Sequence, residues 1–114
     1  MAQPQRRREM IDAFKNRKPN RGVFALRCES ASRVWVGSSM DLNAERNKLF
    51  FSLRQSMHRD TALQTAWNDY GEASFAFEVL QKLDEDLLPM AVRDTLKERS
   101  AFWSAQLNAP ILLP

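Results

Sequence analysis

Apolar and polar positions near the start of the chain alternate in the manner of a β-hairpin. Residues 23 to 26 and 34 to 36 form two short apolar runs rich in β-branched and aromatic side chains, with a polar segment at residues 29 to 32 between them. Such side chains suit a half-buried pleated surface, and a short polar segment joining two of them is typical of a turn. Gly22 and Gly37 bracket the unit, where a missing Cβ permits close approach of another group.

Helical periodicity follows the hairpin. Ser39 or Asp41 is suited to cap the start of a helix, because a side-chain oxygen there accepts from exposed backbone N–H groups. The inward stripe of this helix consists of Leu42, Leu49, Phe50 and Leu53. After a polar connection that contains the single histidine, Asp60 is suited to cap a second helix, which Gly71 ends. The inward stripe of the second helix consists of Leu63, Trp67 and Tyr70.

The last third of the chain predicts one strand and one helix. Residues 74 to 80 alternate with the two-residue period of a strand, with Phe75, Phe77 and Val79 on one face. The last helix places Val92, Leu96, Trp103 and Leu107 inward and ends at residues 108 to 110. The acidic residues 84 to 86 come just before Pro89, where negative charge is favourable at a helix start, and this interpretation is preferred over a cation site.

Length and composition limit the class of protein. The chain has 114 residues, 44% hydrophobic and 27% charged, which fits a single globular domain. Its one cysteine, Cys28, cannot form an internal disulfide, and no apolar stretch reaches the roughly 20 residues of a membrane span. No signal peptide, P-loop, dinucleotide fingerprint or zinc spacing is visible. We therefore expect a cytoplasmic protein with no membrane association.

Positive charge is concentrated at the N-terminus. Residues 1 to 21 carry a balance of +5, which leaves residues 22 to 114 at −2. Met10, Ile11 and Phe14 form a narrow apolar stripe, which predicts a helix over residues 6 to 17. A basic segment beside a slightly acidic body is the footprint of an arm that contacts phosphates, although a solvated helix has the same composition. The candidate nucleic-acid-binding residues are Arg6, Arg7, Arg8, Lys15, Arg17, Lys18 and Arg21.

The hairpin motifs resemble those of the GIY-YIG endonuclease family. Gly22-Val23-Phe24 matches its Gly-Ile-Tyr triplet and Trp35-Val36-Gly37 its Tyr-Ile-Gly triplet, and the ordered resemblance continues through the later elements to about residue 107. The implied fold is α/β, a small, mainly antiparallel three-stranded sheet flanked by helices, its strands traced in the order above. The chain then divides into a basic N-terminal helix or arm (1–21), a GIY-YIG-like domain (22–107) and an apolar C-terminal tail (108–114).

The same resemblance implies where a nuclease site would lie. Phe24 stands at the position of the family's first tyrosine, Trp35 at that of its second, and Ser100 at that of its metal-binding glutamate. Arg46 is the nearest candidate for the family's helix arginine, although an ungapped alignment puts Glu45 there and only a one-residue insertion recovers Arg46. Glu98, two positions before Ser100, should face away, since two helical residues rotate by about 200°.

Three functions follow as hypotheses. The first is a GIY-YIG-like domain that binds nucleic acid, with DNA as the expected partner and Arg46 among the contacts, but with lost or strongly weakened phosphodiesterase activity. The second is an active endonuclease that uses Mg²⁺ or Mn²⁺ at a rearranged site, drawn from the set Arg46, Glu45, His58 and Tyr70. The third is a protein-interaction module, in which the aromatic face of the hairpin and the apolar tail bind a partner chain. The tail is also apolar enough to pack on the body of the domain or on a second copy. No metal ligand is assigned from the sequence.

Overall fold

The computed structural model describes residues 20 to 112. The predicted basic helix over residues 6 to 17 lies outside the described residues, as do the last two residues of the tail. Within residues 20 to 112, no helix is both long enough and apolar enough to cross a membrane.

The predicted hairpin is confirmed and forms the first two strands, β1 (Gly22–Cys28) and β2 (Arg33–Ser39). The two strands pair antiparallel along their whole length. The turn between them closes with a 3.1 Å hydrogen bond from the Ser32 N–H to the Glu29 carbonyl. Apolar and aromatic side chains thus form strands where pairing and burial both favour them.

The third strand, β3 (Phe75–Lys82), starts one residue after the predicted segment and extends two residues beyond it. β3 pairs antiparallel with β1, so the order in the sheet is β2–β1–β3 and the first strand of the chain lies in the middle. Every residue of β1 except Arg27 is buried, as expected of a central strand covered on both faces.

Within residues 20 to 112, three helices pack on this sheet: α1 (Leu42–Arg54), α2 (Thr61–Tyr70) and α3 (Pro89–Leu107). Of the two candidate caps for α1, Asp41 is the one that acts: its Oδ1 accepts from the Ala44 N–H at 3.3 Å. Ser39 supports it, because its Oγ accepts from the Asp41 N–H at 3.0 Å.

The predicted limits of α2 are confirmed. Asp60 caps its start by accepting from the Leu63 N–H at 3.2 Å. Gly71 ends it with a φ of 83°, a value that costs glycine little because it has no Cβ. A single 3₁₀ turn, Glu72–Ser74, then leads into β3.

The two faces of the sheet contact different helices, because side chains alternate along each strand. One face contributes Phe24, Leu26, Cys28, Trp35 and Phe75 to a core with α1 and α2, which supply Leu42, Leu49, Leu53, Leu63, Ala66 and Trp67. The opposite face contributes Val23 and Val36, packed with Trp103 and Leu107 of α3 and with Ala109. Trp67 and most of the predicted inward residues are therefore core residues.

The acidic residues 84 to 86 do not act as predicted. α3 begins at Pro89, and its first turn holds no acidic side chain. Because the helix macrodipole acts over about one turn, carboxylates three or more residues before the helix gain little from it. This segment is held instead by Arg21, whose Nη2 donates to the carbonyls of Asp84 at 3.1 Å and Glu85 at 3.3 Å.

Asn20 and Arg21 are built into the domain. The Asn20 carbonyl accepts from the Leu42 N–H at 2.8 Å, which fixes the chain beside the start of α1. The Arg21 carbonyl accepts from the Leu83 N–H at 2.7 Å, which continues the pairing beyond β3. A truncation at the N-terminus should therefore keep these two residues.

The apolar tail lies along the outer edge of β2. The Val36 N–H donates to the Pro110 carbonyl at 2.9 Å, and the Leu112 N–H donates to the Val36 carbonyl at 2.7 Å. Ile111 thereby forms a parallel bridge with Val36. Up to Leu112, the tail packs on the body of the domain.

Candidate functional site

Phe24, at the position that resembles the family's first tyrosine, lies inside the apolar core. Its side chain is 1% exposed, and its ring stacks on that of Phe77 with centroids 4.7 Å apart. The ring also covers the backbone of Gly37, since a Cβ added there would lie 2.5 Å from the Phe24 Cζ. With no hydroxyl, Phe24 can neither accept nor relay a proton.

Trp35, at the second tyrosine position, lies in the same core. It is 1% exposed, and its ring centroid lies 6.3 Å from that of Phe75. The Arg33 guanidinium lies over the ring, 4.7 Å from the centroid. An indole N–H donates a hydrogen bond but cannot act as a base. The structure therefore places both aromatic residues in one apolar cluster, where they stabilise the fold.

Arg46, the candidate for the family's helix arginine, lies on α1 directly after Glu45, the residue that an ungapped alignment puts at that position. Glu45 is half-buried on α1, but Arg46 is exposed. The Arg46 guanidinium lies 5.8 Å from the ring centroid of Phe50, one turn further along the same helix. Although its Cα is near the inward stripe, the long side chain carries its charge out to water, as arginine side chains commonly do. Arg46 is accessible to a ligand at the surface of α1.

His58 lies in the connection between α1 and α2 and is half-buried. Its Nδ1 accepts from the Asp60 N–H at 3.0 Å, which fixes the ring. Burial lowers the pKa of His58, while the nearby carboxylates of Asp60 and Glu45 oppose that shift. Glu45 and His58, two of the four residues considered for a rearranged site, are thus near enough for their charges to interact, but within residues 20 to 112 they form no ion pair.

Tyr70, the fourth member of that set, lies elsewhere. Its side chain is 46% exposed at the end of α2, and it lines a shallow pocket with Arg33 and Asp69. The described residues provide no hydrogen bond between Tyr70 and His58. Tyr70 is consequently not a partner of the Glu45–His58 pair.

Ser100 lines a groove between the end of β2 and the first half of α3. The groove has a volume of about 740 Å³. Ser100 is 5% exposed, and its buried Oγ has no hydrogen-bond partner within residues 20 to 112. Glu98 is exposed on another side of α3, as the helical rotation predicts. The remaining lining residues are Ser38, Ser39, Met40, Pro89, Met90, Val92, Arg93, Leu96, Lys97 and Ile111.

The groove does not fit a divalent metal ion. Magnesium and manganese prefer carboxylate and other oxygen ligands, whereas the charged residues that line this groove are Arg93 and Lys97. Across the described part of the chain, no group of three or more His, Cys, Asp or Glu side chains is placed to hold a metal ion. We therefore derive no step through a metal at Ser100.

The sequence-predicted site residues thus differ in their surroundings. Phe24 and Trp35 are in the core, Arg46 is on the surface of α1, and Ser100 lines the groove beside α3. The basic residues 6 to 18 lie outside the described residues. Sequence reasoning missed Arg93 and Lys97, although their spacing of four residues on one helix was a signal that they share a face.

Comparison with known proteins identifies a curated relative and two solved structures. The chain is 26% identical over 90 residues to intron-associated endonuclease 1 of Enterobacteria phage T4. That match covers 79% of this chain but only 34% of the relative, so the chain spans about a third of its length. No family model matches the sequence.

The structural matches cover most of the chain. The catalytic domain of intron endonuclease I-TevI, in the form of a point mutant, superimposes with a TM-score of 0.66 and 25% identity over 78% of this chain and 84% of that one. A second structure of the catalytic domain of homing endonuclease I-TevI gives a TM-score of 0.68 and 22% identity over 82% of this chain and 99% of that one. The resemblance to the GIY-YIG family is confirmed. The three-stranded sheet and its helices form the GIY-YIG nuclease fold.

Within this GIY-YIG fold, the assignment of Phe24, Trp35 and Ser100 to the family's site positions stays a prediction, as does that of Arg46. The structure adds the environment of each residue. An apolar core surrounds the first two, and a groove with two cationic side chains surrounds the third. These environments decide which chemistry each position can support.

Proposed function

We propose that this GIY-YIG-like domain binds nucleic acid and has lost, or strongly weakened, phosphodiester cleavage. The observation that carries the proposal is the burial of Phe24 and Trp35 at the two tyrosine positions, together with a serine at the carboxylate position. Neither aromatic side chain supplies a proton acceptor, and Ser100 supplies no carboxylate.

The chemistry of hydrolysis explains why these replacements matter. Cleavage of a phosphodiester requires a group that orients or deprotonates the attacking water, and cations that stabilise the developing charge. A carboxylate usually holds a divalent metal that polarises the phosphate. Loss of a general base alone costs roughly 10² to 10⁴-fold in rate. Groups in one catalytic site act together, so the rate lost with all three groups is not the product of the rates lost with each one.

Three observations support nucleic-acid binding. Residues 1 to 21 carry a balance of +5, enough to contact several phosphates. The relatives in sequence and structure are described as endonucleases, a class of enzyme that acts on nucleic acid. Arg46 adds an accessible guanidinium on the body of the domain.

A cleavage assay tests the loss of activity. Labelled duplex, single-stranded and branched DNA are incubated with the protein and with Mg²⁺ or Mn²⁺, and we expect little or no product. Phe24→Tyr alone should stay inactive, because it adds a hydroxyl without a carboxylate. The combined variant Phe24→Tyr, Trp35→Tyr and Ser100→Glu is the one expected to regain turnover, with Ser100→Gln in place of Ser100→Glu as the matched control.

An active enzyme with a rearranged site is the second candidate. It is favoured by the position of the Glu45 carboxylate, which is near enough to His58 to oppose the lowering of the His58 pKa by burial. Robust metal-dependent cleavage by the wild-type protein, abolished by Glu45→Gln or His58→Asn, would replace our proposal with this one.

A salt titration tests the binding itself. Removing residues 1 to 19 should weaken DNA binding and flatten its dependence on salt, since each phosphate contact contributes about 0.9 to the slope of log K against log salt. This truncation keeps Asn20 and Arg21, whose hydrogen bonds hold α1 and β3. An unchanged slope would show that the arm does not contact phosphates.

A further inference from the structure

The floor of the groove between β2 and α3 holds a hydroxyl with no partner in the described residues. Ser100 is 5% exposed, and its Oγ is buried without a hydrogen bond. Buried polar atoms in native proteins are nearly always satisfied by protein, water or ligand. The hydroxyl can donate or accept, so it suits the polar edge of a bound group.

The walls of the groove are apolar and accessible. Met40, Met90 and Ile111 are 56%, 85% and 50% exposed, and all three line it with Leu96. Exposed methionines adapt to the shape of a ligand, and their thioethers make favourable contacts with aromatic rings. A volume of about 740 Å³ lies within the usual range for sites that bind small organic groups.

Two cations stand at the rim. Arg93 and Lys97 are exposed on α3, one turn apart, and no carboxylate is among the residues that line the groove. Within residues 20 to 112, neither side chain forms an ion pair. Both charges are therefore available to an anion, and a guanidinium beside an ammonium suits a phosphate.

We infer that this groove binds one unpaired nucleotide, an inference that rests on the proposed nucleic-acid binding. The base lies between the methionine and aliphatic walls, its polar edge meets the Ser100 hydroxyl, and its phosphate meets Arg93 and Lys97. A fully paired duplex cannot use the walls, because its base faces are covered by stacking. The domain should therefore prefer DNA with an unpaired end or flap over a blunt duplex.

Fluorescence anisotropy measures this preference with three labelled DNAs. One is a blunt duplex, the second carries a short single-stranded overhang, and the third carries the same overhang without bases. The overhang with bases should bind roughly tenfold more tightly than the other two, a gain near the upper end of the range for a contact between a thioether and an aromatic ring. This comparison of the three DNAs uses the wild-type chain.

Substitutions in the groove test whether the tighter binding of the overhang depends on these residues. Met90→Ala, Ser100→Ala and the pair Arg93→Ala with Lys97→Ala should each reduce it. All except Ser100 are exposed, so their substitution should spare the fold. Lys48→Ala is the matched control, because Lys48 is an exposed cation on α1 outside the groove. That variant should keep the full gain.

Each outcome separates the two proposals. If the duplex binds but the overhang adds nothing, or if the gain survives without bases or in all groove variants, this inference is overturned and nucleic-acid binding stands. Such a result would leave the groove to another occupant, for example an acidic peptide. If none of the three DNAs binds, both proposals fail.

Discussion

Replacing Gly37 with alanine should destabilise the domain by about 1–3 kcal/mol, the usual cost of overpacking a core. The added Cβ would lie 2.5 Å from the Phe24 Cζ, and 3.0 and 3.1 Å from its two Cε atoms. Since carbon atoms pack at about 3.5–4.0 Å, the ring would have to retreat by roughly 1 Å. It has little room to do so, because Phe77 stacks on it at 4.7 Å and the side chain is 1% exposed.

Urea unfolding followed by tryptophan fluorescence measures the effect. With a slope of about 1–3 kcal/mol per molar urea, the midpoint should fall on the order of 1 M. Phe24→Leu replaces the ring with a smaller side chain and should partly rescue Gly37→Ala. The double variant should therefore be more stable than the sum of the single changes predicts. Gly71→Ala is the control, because nothing lies within 4 Å of its added Cβ. Its cost comes from a φ of 83°, and should simply add to that of Phe24→Leu.

Either of two results would refute the packing of Phe24 over Gly37. If Gly37→Ala is as stable as the wild type, or if its effect adds to that of Phe24→Leu, the Phe24 ring does not fill the space over Gly37. The packing of the Phe24 ring between Gly37 and Phe77 would then be wrong.

Three further predictions concern single polar side chains. Arg46→Ala should weaken DNA binding with little change in stability, and Arg46→Lys should restore it only in part, as the planar guanidinium is lost; normal anisotropy for Arg46→Ala would exclude the contact. Ser100→Ala should leave the free energy of unfolding unchanged or raise it by about 1 kcal/mol, because it removes a buried hydroxyl without a partner; a clear loss of stability in urea would show that the hydroxyl is satisfied. Because burial lowers the pKa of His58 in the folded state, the unfolded state binds more protons, so stability should fall as pH drops below about 6.5. His58→Asn, which keeps an acceptor for the Asp60 N–H, should flatten the unfolding free energy between pH 7.5 and 5.5.

Local patterns in the sequence determined most of the secondary structure. The hairpin, the caps at Asp41 and Asp60 and the helix end at Gly71 depend on residues close together in the chain. Their preferences come from backbone geometry and from hydrogen bonds to neighbouring N–H groups, which are visible in a short window. The acidic residues before α3 show the limit of such reasoning, because their benefit depended on where the helix begins, and α3 starts only at Pro89.

Only the tertiary structure decided what those elements face. Periodicity marks a buried side of a strand or helix, but it does not say which element covers it, so the central place of β1 and the contact of the tail with β2 required long-range pairing. The groove is the clearest case, because Met40 of the β2–α1 connection and Met90 of α3 meet only after the sheet and α3 have packed. The exposure of Arg46 could not be predicted from the sequence either, because the neighbours of a long, flexible side chain decide whether its charge lies in the core or in solvent.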